Sequence, residues 1–198
     1  MSLTTNAPNS LTSVQIQSLT RTDLASITTD QAATLSTAFI AALLPSQIAG
    51  ISIDDLAVLT TAAVATISAD QIAGISQSQV ASLTSNQIAA LKNDALGVLN
   101  NRQIAAFTTS QVSSFSSATL NALTGTQVTY LELADVASIS SNAFLGISQA
   151  NLQSLTVKQI GALTTQQISN LSTTTLTAFT TVQVRGLSTN GLALLTPE

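Results

Sequence analysis

The sequence predicts an all-α solenoid, a stack of short capped helices with one helix per eight residues. Three observations point there. An octapeptide recurs 23 times from Thr12 to Leu195 without insertion or deletion. Within each octad the two large apolar positions, five and eight, lie three residues apart. That spacing shares one face of a helix but falls on opposite faces of a strand. Finally, position one is Ser or Thr in 19 of the 23 octads and position four is Gln in 12, the pairing of a capping box that starts a helix.

The elements follow in order. Residues 1–11 read as an irregular N-terminal lead-in, because the block 4–11 is degenerate and places Pro8 at position five. Residues 12–195 read as a single solenoid of 23 octads, and residues 196–198 begin a further repeat. Position five is apolar in every octad, from Ile16 to Leu192, and position eight is Leu, Ile or Phe throughout. One continuous helix is excluded, since eight residues overshoot two turns by about 80° and would wind the apolar stripe around the axis. The chain must therefore break at each Ser or Thr. Pro45 and Pro197 fall at position two, the first helical residue, where a missing N–H costs nothing. Six of the eight glycines occupy positions six or seven, where glycine eases helix termination. All nine acidic residues sit at positions one, three or four, the positive end of each helix dipole.

Helices this short are unstable alone, so stability must come from stacking. Octads that lack Gln at position four recur every three to four blocks, which suggests about 28 residues per superhelical turn. The alternative is a β-solenoid with eight residues per edge, favoured by the many Thr, Val and Ile residues. Alanine at position six in 12 octads, together with the capping pairs, opposes it.

Composition narrows function. The 198 residues carry net charge −4, 7% charged side chains, and neither His nor Cys. The usual zinc ligands, a haem ligand set and a thiol nucleophile are all missing, and a serine nucleophile would have no histidine base. Five scattered Lys and Arg residues form no basic footprint for nucleic acid. Mean hydropathy of +0.42 argues against disorder, and Ser or Thr interrupts every apolar run before it could span a membrane. The segment from Met1 to Pro8 has no basic start followed by an apolar core, so no signal peptide is recognisable. No residue is assigned to catalysis, a cofactor or a metal. The adjacent Asp54 and Asp55 read as surface charge favoured by a helix start. Phe107, Phe115, Phe144 and Phe179 occupy core positions, and Phe39, at a Gln position, fills a local gap. Tyr130, Val58, Val98 and Leu194 are bulky residues at position seven, where other octads are small, and are the candidate contact residues.

The string Leu83-Thr-Ser-Asn-Gln-Ile-Ala-Ala-Leu91 resembles the Leu-Thr-x-x-Gln-Ile-Ala-Ala-Leu arrays of large proteobacterial secreted or surface proteins of adhesin type. The resemblance covers nearly the whole chain and transfers no catalytic motif. It implies an extracellular or cell-surface role, structural, adhesive or filamentous. The terminal Leu195-Thr196-Pro197-Glu198 resembles the opening of TAL-effector repeats, but octads without a base-reading loop give DNA binding no support. The expectation is a non-catalytic, elongated structural repeat protein without cofactors. Because the last octad stops at position three and Met1 falls at position six, head-to-tail self-association would nearly complete an octad. The alternative is a binding scaffold that recognises a protein or glycan on its non-consensus face.

Overall fold

The computed structural model describes residues 8–193 and, among them, contains 23 α-helices of four to six residues and no strand. There is one helix per octad, from Ser13–Gln17 to Thr189–Ala193. The helical expectation holds and the β-solenoid does not.

Local chemistry explains each start and stop. The position-one residue has extended backbone (Thr84, φ −70°, ψ 158°), and its hydroxyl accepts the N–H of position four. The position-four glutamine returns the contact, as when Gln87 Oε1 accepts the Thr84 N–H at 2.7 Å. At the other end the helix tightens into an i to i+3 bond from the position-eight N–H to the position-five carbonyl, 3.2 Å for Leu91 to Ile88. Position eight then turns its apolar side chain inward, and the next Ser or Thr begins again. Pro45 is the first residue of its helix, as its ring requires.

Of the expected lead-in, residues 8–11 are described. Pro8–Ser10 form a 3₁₀ turn, and Pro8 is buried, taking the core place of an ordinary position-five residue. The expected start of a further repeat at residues 196–198 lies outside the described residues.

The chain divides into two compact units, Met1–Ala106 and Phe107–Glu198. Within each, a helix packs on the third helix along. In the first unit Pro45–Ile48 packs on Ala69–Ala73, which packs on Asn93–Gly97; in the second, Gly125–Val128 packs on Gln149–Ser154. Each unit is therefore a helical repeat solenoid. The side-chain hydrogen bonds that join successive turns span 25 to 31 residues. This range brackets the 28 residues, or three and a half octads, read from the missing glutamines. The core is the file of position-five and position-eight side chains, buried along most of both units, with the position-five Val184 and Leu192 exposed in the last two octads. All four core phenylalanines are buried in the second unit, with Phe107 and Phe115 edge-to-face at 5.3 Å.

The glycines serve a different purpose from the one expected. Among the described residues none has positive φ, so no helix ends on a left-handed glycine. What position seven requires is closeness. A Cβ on Gly74 would lie 2.8 Å from the Pro45 carbonyl oxygen one turn away, and one on Gly186 would lie 2.7 Å from Val157 Cγ1.

Candidate functional site

The repeat's most regular polar residue does structural work in both directions. Gln87 is 1% exposed. Its Nε2 donates to the carbonyls of Leu56 at 2.8 Å and Leu59 at 2.7 Å, the end of the helix four octads earlier. Gln47, Gln71 and Gln103 repeat the arrangement in the first unit, and Gln159, Gln167 and Gln183 in the second. The last carbonyls of a helix have no partner within it, and these amides supply one. The position-four carbonyl is met by the hydroxyl at position seven, as for Ser114 to Gln111 at 2.6 Å and Ser82 to Gln79 at 2.9 Å. Asn121 makes a second kind of clamp: its Nδ2 donates to the Gly146 carbonyl at 2.8 Å and its Oδ1 accepts the Ser148 N–H at 2.7 Å. Asn9 does the same with Thr34 and Ser36.

Sequence reasoning assigned the glutamines to capping alone and missed the clamp. A signal was present, since a capping box accepts Glu as readily as Gln, yet no octad has Glu at position four. A carboxylate could cap but could not donate to carbonyls.

The acidic pair separates. Asp54 is exposed, whereas Asp55 is 3% exposed and accepts the Ser52 hydroxyl at 2.7 Å. The reading of both as surface charge is therefore corrected for Asp55, because position four faces the adjoining turn. Asp135 is also buried there and accepts the Thr109 hydroxyl at 2.9 Å. Phe39, at the same position, is buried in the core as expected of a gap filler. Asp23 stays half-buried, and the hydroxyl of Thr20 at 2.6 Å, then its N–H at 2.8 Å, hold its carboxyl below the usual value of 3.8. Replacing Asp55 by glutamine would place a donor where other octads reach the carbonyls 31 and 28 residues earlier, here Leu24 and Ile27. The variant Asp55→Gln is expected to gain about 1–2 kcal/mol. A thermal melt at or below that of the parent would count against the donor role.

Of the candidate contact residues, Val58 and Val98 lie in the first unit. Val58, at 37% exposure, ends the helix Ile53–Val58, which packs on Thr29–Ala32 and Gln77–Ser82. Val98, at 45%, follows Asn93–Gly97, which packs on Ala69–Ala73. The two valines thus sit on helices with different neighbours. Tyr130, at 42%, lies in the second unit, and Leu194 falls outside the described residues. Near Tyr130 a shallow groove of about 510 Å³ is lined by Leu131, Glu132, Leu133, Thr156, Lys158 and Gln159. Among the described residues no three His, Cys, Asp or Glu side chains gather as metal ligands, and no helix is long and apolar enough to cross a membrane.

Residues 48–85 match the model of a family described as ALTTAQ repeat. The matched stretch begins at the position-five Ile48 and includes the buried clamps Gln71 and Gln79. The chain is thus a helical protein containing a recognised repeat. A comparison with curated proteins finds no match.

Proposed function

We propose that the chain is a non-catalytic structural repeat protein, an elongated spacer or filament-forming module of the cell surface or extracellular space that associates end to end. One observation carries this reading. The repeat's recurrent polar groups, the position-one hydroxyls and the position-four amides, are committed to the protein's own backbone. What the octad repeats is therefore a rule for adding turns, and adding turns adds reach. Its few charges, net −4 in 198 residues, oppose close association of copies only weakly.

The test is electron microscopy of the purified chain at rising concentration, with small-angle scattering on the same samples. Threads that lengthen with concentration are the expected result, and compact particles of fixed size would overturn it. Labelling of intact cells tests the location, where signal only after permeabilisation contradicts surface display. A second reading, recognition of a protein or glycan, is favoured by the exposure of Tyr130, Val58 and Val98 where the repeat calls for small residues. Discrete, concentration-independent rods in the same images would favour that scaffold over a filament.

A further inference from the structure

An octapeptide repeat supplies its own control, because its recurrent residues state what the fold needs at positions one, four, five, six and eight. In the shallow groove of the second unit Glu132 departs from the Ser or Thr of position one and lies beside the exposed Leu133 and Lys158, with Tyr130 between the lining residues Thr129 and Leu131 in the chain. Tyr130 is the only tyrosine of the chain, and Lys158 is one of five cationic side chains. Glu132 replaces the Ser or Thr that starts most helices, and its side chain makes no cap hydrogen bond, although Asp135 Oδ2 still accepts the Glu132 N–H at 3.2 Å. The helix Leu133–Ser138 thus forgoes half of its capping box while placing an exposed carboxylate on the groove.

The pattern of the groove points to its occupant. Leu133, 46% exposed, provides an apolar centre, and Glu132 and Lys158, both exposed, line the same groove with opposite charge. A partner of one charge sign would match one and face the other unfavourably. A second copy turned by a two-fold rotation matches both, its lysine meeting Glu132 and its glutamate meeting Lys158, with the two Leu133 side chains brought together near the axis. We infer that this groove pairs two copies of the chain side by side, with Glu132 of one copy facing Lys158 of the other. The pairing is lateral and independent of end-to-end association.

Sedimentation equilibrium of the full chain tests it. The parent is expected to show a dimer in the micromolar to millimolar range that weakens as salt is raised. Glu132→Lys and Lys158→Glu are each expected to raise the dimer dissociation constant at least tenfold, and the double variant Glu132→Lys/Lys158→Glu to restore it. Both residues are exposed, so circular dichroism should be unchanged in all three. The chain has no cysteine, so a Leu133→Cys variant adds a second readout, with mild oxidation expected to trap a covalent dimer whether or not threads also form. A parent that stays monomeric throughout, single reversals without effect, or a double variant as weak as the singles would each overturn the pairing. Threads without such pairing would leave the structural reading standing and the groove assignment refuted.

Discussion

Replacing Gln87 by alanine is expected to destabilise the first unit by about 3–5 kcal/mol, among the largest effects of any single surface-distant substitution outside the apolar core. The carbonyls of Leu56 and Leu59 lose their donor, the Thr84 N–H loses its acceptor, and the side chain is only 1% exposed, so little water reaches the gap. The loss falls between turns, where a solenoid has its cooperativity, so the denaturant unfolding curve should broaden as well as shift. The isosteric Gln87→Glu separates the donor from the space it fills. A glutamate there keeps the acceptor for Thr84, but as a carboxylate it faces two carbonyl oxygens with nothing to donate. The folded protein disfavours that charge, so the new carboxyl titrates above its unfolded value of about 4.3. Stability relative to the parent is therefore fully present below about pH 4.3 and lost as pH rises through the raised folded value. Thermal melts of variant and parent from pH 4 to pH 7 should diverge with rising pH. Parallel curves would mean that the amide nitrogen contributes little.

Much of this structure was legible in the sequence because the octad states local rules. Capping pairs, the proline at position two and the three-residue apolar spacing each depend on neighbours within one helical turn, and each appears where expected. The 28-residue turn was also visible, though indirectly. Octads without glutamine mark places where the cross-turn donor is absent or replaced, as by the shorter Asn151, which still donates to Leu120 and Leu123 at 2.8 and 2.9 Å. The partners of the amide nitrogen were not legible. They lie 28 and 31 residues away, and no local rule names a carbonyl at that distance. The glycines misled for a related reason. Gly74 is near the end of its helix, which suggested termination, but the restriction on its side chain comes from the Pro45 carbonyl on the adjoining turn. The groove was partly visible, since Glu132 openly replaces the Ser or Thr of position one. That Glu132 and Lys158, 26 residues apart in the chain, line one groove required the turn geometry.

That geometry makes two deletions in the second unit differ sharply. Removing the whole octad Ser148 to Leu155 preserves every positional relation. Gln159, which donates to Val128 and Leu131, would find the carbonyls of Leu120 and Leu123 left by Asn151. Gln167 would take over those of Val128 and Leu131. Gln183 would exchange Leu152 and Leu155 for Phe144 and Ile147, also positions five and eight of their octad. The shortened chain is expected to fold with helical content per residue unchanged and to lose no more than about 2 kcal/mol, the cost of imperfect fit between non-identical repeats. Removing only Ser148 to Asn151 leaves Leu152 directly after Ile147 and shifts every later octad by half a period against the turn below. Each displaced helix would then set position one where position five belongs, exposing two large apolar side chains and stranding its clamp. At about 2–5 kcal/mol for each buried side chain lost, one displaced helix already consumes most of a domain's stability. Circular dichroism and calorimetry on the two deletions should therefore show a folded protein and a largely unfolded one, although the second keeps four more residues. Similar melting of both would mean that the units tolerate loss of register, and that the glutamine clamps do not set it.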